Sequence, residues 1–312
     1  MYLLKFILEL NQLIRKSLPD IVHFSSTNAS VFGPLAVWFS KFKRPKIIYT
    51  AHGFPFNEPG VLKKGVFAIL EKVSALMRDK TICVSESDRE SGIRYAIGKK
   101  ENLITIHNGI DLKQFKVLPR MEARKIFTNL PLNSKLIGTI SQFYSNKGLI
   151  YLIKAAPLVL EKHPEAYFAI VGGGEEKENL ESEIKEYNLE DHFFVLPYQE
   201  DGSAYLSAFD IIAAPSLKEG LPYFLIEAAL AKIPVVSTLV GGIPEIIENG
   251  KGGLLVRPKN PRALSEAILK LINDQKLRES LADFSYKYAR EKFNLGRAVQ
   301  ETEEVYLRLT QY

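Results

Sequence analysis

The residues with the clearest chemical potential lie in one loop and the helix after it. The segment KEGLP (218–222) follows an apolar strand and precedes a helix predicted to begin near Tyr223. The N–H groups and dipole of a helix start bind anions, and Gly220 lets a ligand approach the backbone closely. Glu219 in the loop and Glu227 about one turn inside the helix can accept hydrogen bonds from sugar hydroxyl groups. This pattern predicts an anion site at the helix start with two carboxylates near it.

A second glycine pair, Gly241-Gly242, follows the next predicted strand. The carboxyl ends of parallel strands meet at one edge of a sheet, where open α/β sheets bind their ligands. Two glycine-bearing loops at successive strand ends therefore predict a ligand crevice at that edge.

Short apolar segments alternate with helical patterns along the whole chain. The predicted strands are 21–24, 46–50, 80–85, 103–108, 135–141, 167–172, 193–198, 210–216, 234–238 and 253–258. The predicted helices between them include 61–78, 148–162, 175–187, 223–231 and 261–273. Strands separated by helices are typical of βαβ units, and strands that are apolar throughout indicate parallel sheets covered on both faces.

We predict an α/β fold with two Rossmann-like doubly wound parallel-sheet domains facing each other across a cleft. Residues 1–116 form the first domain and residues 117–295 the second, and a C-terminal helix (296–312) packs back on the first. The chain opens on an amphipathic helix, whereas a Rossmann half starts with a strand and a glycine-rich turn. We therefore expect the first domain to lack its opening strands.

Composition is that of a soluble globular protein, with 312 residues, 46% apolar and 25% charged. The net charge of +5 is uneven, because residues 1–120 carry +9 and the remainder −4. A single cysteine, Cys83, makes an intramolecular disulfide impossible and fits a reducing compartment. The only long stretch without charged residues, 21–40, contains His23 and Gly33-Pro34, which argues against a membrane span.

Several other classes of site lack their motifs. No P-loop occurs, and Gly172-Gly173-Gly174 is followed by Lys177 where a nicotinamide-binding loop needs glycine. There is no D-x-D pair and no tight histidine spacing, so we expect no metal and no other cofactor. Basic residues do not belong to a recognisable nucleic-acid-binding module, so we expect no nucleic-acid partner.

Beyond these features, the sequence resembles the retaining glycosyltransferases of the GT-B fold, family 4 (glycosyl transferases group 1). The central match is EGLPYFLIEA (219–228), which fits the E-x7-E signature of that family. Further matches in the same order are PDIVHF (19–24), YTAHGFPF (49–56), ICVSESDRE (82–90), IHNGID (106–111), SNKGLIYLIKAA (145–156), VGGGEE (171–176), GGIPEII (241–247) and GLLVRP (253–258).

The resemblance implies a role for each matching residue. Glu227 matches the glutamate that binds the donor ribose, and Glu219 matches the one that contacts the donor sugar. Lys147 matches a lysine that neutralises the donor diphosphate, and His52 matches a histidine that faces the transferred sugar. The backbone amides of the loop at the helix start would hold the diphosphate; its residues are Gly220, Leu221, Pro222 and Tyr223.

Two departures from the family pattern affect these expectations. Gln142 stands where many members have arginine, and it cannot supply the charge of a forked phosphate contact. The family also has further N-terminal residues, including a glycine-rich loop that reaches the diphosphate. We therefore expect a truncated product, a mis-assigned start or half of a split enzyme.

The function implied is metal-independent, retaining transfer of a hexose from a nucleoside-diphosphate sugar to a lipid-linked or saccharide acceptor in bacterial surface polysaccharide or glycolipid synthesis. The alternatives are a catalytically inactive or split-subunit nucleotide-sugar-binding fragment and a sugar-nucleotide epimerase. We expect a cytoplasmic location. The segments WFSKFKRPK (38–46) and FNEPGVLKKGVF (56–67) mix lysine with apolar residues and suggest contact with an anionic membrane surface at its inner face.

Overall fold

The computed structural model describes residues 2–39, 44–54, 61–131 and 133–311. They form two compact units, Met1–Asn108 with Leu295–Tyr312, and Gly109–Asn294. The predicted architecture of two parallel α/β sheets is confirmed, and every predicted strand is present with ends that differ by a few residues. The segments 38–46, 49–56 and 56–67 lie partly outside the described residues.

The first unit contains a four-stranded parallel sheet in the order β1-β2-β3-β4. Its strands are β1 (Ile21–Phe24), β2 (Lys46–Ala51), β3 (Lys80–Cys83) and β4 (Leu103–Thr105). Its first helices are α1 (Tyr2–Ser17), α2 (Thr27–Trp38), α3 (Val61–Ala75) and α4 (Glu86–Arg94). The hydroxyls of Ser26 and Ser85 accept backbone N–H groups at the starts of α2 and α4, so these helices begin at capping residues.

The second unit contains a six-stranded parallel sheet in the order β10-β9-β8-β5-β6-β7. Its strands are β5 (Lys135–Ile140), β6 (Ala166–Gly172), β7 (Phe193–Pro197), β8 (Ile211–Ala214), β9 (Val235–Thr238) and β10 (Leu254–Val256). Its helices are α5 (Arg120–Ala123), α6 (Leu149–Leu160), α7 (Lys177–Glu186), α8 (Tyr223–Leu230), α9 (Ile243–Ile246), α10 (Pro261–Asn273) and α11 (Gln275–Lys292).

The direction in which successive strands are added to the sheet reverses between β5 and β8. Strands β6 and β7 lie on one side of β5, and β8, β9 and β10 follow in order on its other side. Loops leave the two central strands in opposite directions at such a switch point and open a crevice at their carboxyl ends. The second unit therefore has a ligand site defined by its topology.

The chain passes between the units at Asn108 and Gly109, whereas the sequence prediction placed that boundary after residue 116. The backbone N–H of Ile110 donates to the carbonyl of Phe293 over 2.9 Å, which attaches the start of the connecting segment to the second unit. The last helix, α12 (Leu295–Thr310), belongs to the first unit. Its residues Ala298, Val305, Tyr306 and Leu309 pack against Ile48, Ile82 and Ile106.

None of the helices in the described ranges combines the length and the apolar composition needed to cross a bilayer.

Candidate functional site

A cavity of about 540 Å³ lies at the switch point of the second unit. It is lined by residues that follow β5, β6 and β7 and by the first turns of α8, among them Gln142, Gly173, Tyr198, Asp201 and Glu227. Two predicted site residues, Gln142 and Glu227, are thus brought to one recess although they are far apart in sequence. The volume is in the range of small-molecule sites.

Lys147 and Glu219 form an ion pair. The Lys147 ammonium lies 2.8 Å from Oε1 and 3.1 Å from Oε2 of Glu219, and the Ser216 hydroxyl donates to Oε1 over 2.7 Å. The sequence predicted separate roles for these two residues, on the diphosphate and on the sugar. The structure brings them together, so the Glu219 carboxylate has both a cation and a hydroxyl donor in this state.

A backbone hydrogen bond joins the turn that contains Lys147 to the loop that contains Glu219. The N–H of Leu217 donates to the carbonyl of Asn146 over 2.7 Å. Gly148 has φ +62°, and a Cβ there would overlap the carbonyl oxygen of Pro215. Only glycine therefore lets the turn that carries Lys147 approach the strand end that carries Glu219.

The Gly241-Gly242 pair supports the same loop from the next strand end. The N–H of Gly242 donates to the carbonyl of Gly220 over 2.8 Å. Gly241 has φ +52°, and a Cβ there would overlap the carbonyl oxygen of Glu219. The two glycine-bearing loops predicted to share an edge are in direct contact.

Gly241→Ala is expected to displace the Glu219 loop and to weaken nucleotide binding about tenfold or more, because at least one charged contact is lost. Isothermal titration calorimetry with nucleoside diphosphates measures this effect. Gly250→Ala is the matched control, since Gly250 has φ +80° but open space where a Cβ would lie. That variant should lose only about 1 kcal/mol of stability from backbone strain and keep the wild-type nucleotide affinity. Equal nucleotide affinities in both variants would contradict the prediction.

Helix α8 begins directly after the Glu219 loop. Pro222 is its N-cap, Leu221 is buried and the Tyr223 side chain is exposed. The first N–H groups of a helix lack partners within the helix, so this end offers donors and a positive dipole to an anion. The assignment of the diphosphate to the backbone of Gly220, Leu221, Pro222 and Tyr223 stays a prediction, and Pro222 has no N–H to contribute to it.

Glu227 lies one helical turn beyond Tyr223 on the same face of α8. Burial raises the pKa of its carboxyl above the ordinary value, and the negative charge of Asp201 raises that pKa further. A half-buried carboxylate at the wall of a cavity is a strong acceptor for hydroxyl groups that enter it.

His52 belongs to the first unit, where it follows β2 and keeps part of its surface exposed to solvent. Partial desolvation of the imidazole lowers its pKa. Neighbouring His23, at the carboxyl end of β1, lies 2.7 Å from the Thr50 hydroxyl through Nε2 and 2.6 Å from the Tyr306 hydroxyl through Nδ1. Burial lowers the pKa of His23 as well, and the His52 charge lowers it further. Both shifts favour the neutral form of the imidazole.

Sequence reasoning did not single out His23, Ser216 or Asp201. His23 is the penultimate residue of β1, the strand beside the one that leads to His52, and Ser216 precedes Glu219 by three residues. The shared edge of parallel strands could have pointed to both, because polar residues at adjacent strand ends lie close together. Asp201 also follows a strand of the six-stranded sheet, β7, but lies four residues beyond its end, so the same signal was weaker there.

Comparison with known proteins agrees with this geometry. The family model for glycosyl transferases group 1 matches residues 121–288, and the model for Glycosyltransferase Family 4 matches residues 1–114. The chain has a parallel-sheet fold with a switch-point cavity, an E-x7-E segment and a helix start positioned for an anion. It belongs to the glycosyl transferases group 1 family and is a glycosyltransferase.

Relatives and solved structures extend the match along the chain. The UDP-Gal:α-D-GlcNAc-diphosphoundecaprenol α-1,3-galactosyltransferase of Escherichia coli is 25% identical over 97% of this chain and 79% of its own length. The capsular polysaccharide biosynthesis glycosyltransferase CapM of Staphylococcus aureus is 26% identical over 97% and 80%. Sucrose-phosphate synthase from Thermosynechococcus elongatus superposes with a TM-score of 0.87 at 22% identity, over 98% of this chain and 78% of its own.

Proposed function

We propose that this glycosyltransferase moves a hexose from a nucleoside-diphosphate sugar to an acceptor hydroxyl, with retention of configuration and without a metal ion. One observation carries the proposal: the half-buried Glu227 carboxylate lines the switch-point cavity one turn after a helix start. A nucleoside diphosphate needs both features, acceptors for its ribose hydroxyls and donors for its phosphates.

The diphosphate is assigned to the start of α8 and to Lys147. The ammonium is paired with Glu219 in this state, so donor binding has to draw it at least partly toward the phosphates. There the lysine and the α8 amides stabilise the charge that develops on the leaving diphosphate. Among the described residues no three His, Cys, Asp or Glu side chains form a group that could hold a metal ion. Neutralisation of the diphosphate charge is assigned to the Lys147 ammonium.

The remaining roles follow the positions of the side chains. Glu227 binds the ribose hydroxyls, and Glu219 binds hydroxyls of the donor sugar once Lys147 turns to the phosphates. Gln142 contributes a neutral amide at the cavity wall. His52 is assigned to the transferred sugar, where a neutral imidazole accepts a hydrogen bond from a hydroxyl.

The acceptor is proposed to be a lipid-linked or saccharide hydroxyl in bacterial surface polysaccharide synthesis. The names of the two relatives support this setting, since one acts on a diphosphoundecaprenol-linked sugar and the other serves capsule synthesis. The proposal includes a cytoplasmic location with peripheral contact to the inner face of the membrane.

A thermal-shift titration with UDP, GDP and ADP, each with and without EDTA, tests the donor site. A ligand that binds only the folded chain raises its melting temperature by an amount that grows with [L]/Kd. We expect a selective rise that EDTA does not change, and the name of the E. coli relative favours UDP. A rise that disappears with EDTA would overturn metal independence, and no rise in a cooperatively melting chain would overturn the donor site.

Glu227→Ala is expected to raise the Kd for the nucleotide about 10- to 100-fold, because a hydrogen bond to a charged group is lost. Calorimetric titration of the nucleotide selected above measures the change. Since the Glu227 pKa is raised, wild-type affinity should fall on acidification at a pH above the ordinary carboxyl range. In Glu227→Gln this acidic decline should be absent.

Glu186→Ala on α7 is the matched control, because its side chain is exposed on the same unit. It should bind the nucleotide as wild type does. An unchanged Kd in Glu227→Ala would refute the ribose assignment.

A further inference from the structure

Helix α3 of the first unit exposes its large aliphatic residues. The exposed fractions of Val66, Ile69, Val73 and Leu76 are 56%, 62%, 57% and 82%. Their spacing of three, four and three residues places them on one side of the helix and its last turn, a surface called the outer stripe here. Aliphatic residues with this spacing ordinarily face a core.

The opposite side of α3 carries small and polar residues into the core. Ala68, Glu71, Ser74 and Ala75 are buried. The Arg78 guanidinium donates to Glu71 over 2.9 Å, to the Ser74 hydroxyl over 2.8 Å and to the Ser30 carbonyl over 3.0 Å. Rotating α3 by half a turn about its axis would break these hydrogen bonds and separate the charges of Glu71 and Arg78. The buried ion pair therefore fixes the rotation that turns the outer stripe to solvent.

Aromatic and basic residues continue the exposed surface at the end of the stripe. Trp38 and Phe39 at the end of α2 are 62% and 63% exposed. The Arg44 guanidinium lies 5.5 Å from the Trp38 ring centroid and donates to the carbonyl of Met77 over 2.9 Å, so Arg44 connects Trp38 to the residue that follows Leu76. We define the docking face as the outer stripe with Trp38, Phe39 and Arg44.

The charge around the docking face is positive. Glu71 is the single acidic residue in the α3 sequence and is buried, whereas Lys72 is exposed. A recess of about 440 Å³ beside Leu76 has Arg44 and Lys46 in its wall, the latter 3.5 Å from Asp79. Residues 1–120 carry a net +9. Two copies of such a face would repel each other, while an anionic surface would attract it.

We propose that the docking face binds the surface of an anionic lipid bilayer, with the outer stripe and Trp38 among the acyl chains and Arg44 and Lys72 at the lipid phosphates. Amphipathic helices with aliphatic and aromatic residues beside cations bind membranes in this way. The choice of a bilayer also rests on the proposed function, because a lipid-linked acceptor is presented at a membrane.

The chain contains one tryptophan, Trp38, which reports binding without a label. The full chain is mixed with phosphatidylcholine vesicles, with or without about one third phosphatidylglycerol, and sedimented at low salt, where charge attraction is least screened. We expect cosedimentation with the anionic vesicles, a blue shift of Trp38 emission and weakening of both by salt. Absence of cosedimentation would overturn the proposal.

Ile69→Gln/Leu76→Gln should lower the vesicle partition coefficient about tenfold or more, because two apolar side chains no longer enter the acyl region. Val299→Gln/Leu307→Gln on α12 is the matched control, since these residues are 45% and 55% exposed outside the docking face. It should bind vesicles as wild type does.

Circular dichroism and the nucleotide thermal shift test whether both variants are folded. Because the thermal shift also reports nucleotide binding, it distinguishes a failure of the membrane proposal from a failure of the proposed donor site. Equal partition of both variants would overturn the docking face. A wild-type dimer in sedimentation equilibrium that Ile69→Gln/Leu76→Gln makes monomeric would assign the face to a second copy instead.

Discussion

Lys147→Ala is expected to lower kcat/KM about 100- to 1000-fold, the range found when one preorganised charge stabiliser is removed from a transition state. The ammonium is ion-paired with Glu219, whose side chain is only 11% exposed. Without Lys147, the Glu219 carboxylate loses this partner, and its negative charge repels the diphosphate proposed to bind beside it. Turnover of the donor identified by nucleotide titration, with UDP affinity by calorimetry, measures the loss.

Two further variants test the role of the Lys147 charge. Lys147→Ala/Glu219→Gln should regain part of the UDP affinity, because the uncompensated negative charge is gone. Lys154→Ala removes another partly buried lysine–glutamate pair in the same unit, Lys154–Glu183 at 3.7 Å, and should keep wild-type turnover. Wild-type turnover in folded Lys147→Ala would show that the lysine serves only the loop structure.

Arg78→Met is expected to destabilise the chain by about 3–5 kcal/mol, as found when one partner of a buried ion pair is removed. The side chains of Arg78 and Glu71 are 1% and 0% exposed. Arg78 also lies over the Tyr49 ring, with its guanidinium carbon 4.5 Å from the centroid. Urea unfolding followed by circular dichroism measures the change.

The pH dependence of this loss follows from Glu71. Burial raises the Glu71 pKa, and the Arg78 charge lowers it in part. Removing Arg78 raises that pKa further, so the folded chain keeps a proton that the unfolded chain releases. The destabilisation should therefore grow as pH rises from the carboxyl range toward neutrality.

Two comparisons test the origin of the effect. Glu71→Leu/Arg78→Met should recover most of the stability, because apolar replacement of a buried pair is often neutral. Arg262→Met removes an exposed pair with Glu266 at 3.2 Å and should cost less than about 1 kcal/mol. If Arg78→Met and Arg262→Met cost the same, the buried pair does not determine the stability of the first unit.

Local sequence patterns were enough to predict the strands, their alternation with helices and the loop that precedes α8. These depend on local periodicity and on glycines at strand ends, and such signals are contained in a few neighbouring residues. The order of the strands, and with it the switch point between β5 and β8, depended on packing across the whole sheet.

Which charged side chains pair with each other depends on the packing of the folded chain. Lys147 and Glu219 are 72 residues apart, and their 2.8 Å contact depends on close backbone approaches at Gly148 and Gly241. In α3 the aliphatic spacing alone would turn Ile69 toward the core, yet that side chain is exposed and Glu71 is buried. Local pattern could not foresee this rotation, because the ion pair with Arg78 exists only once α3 has packed against the sheet.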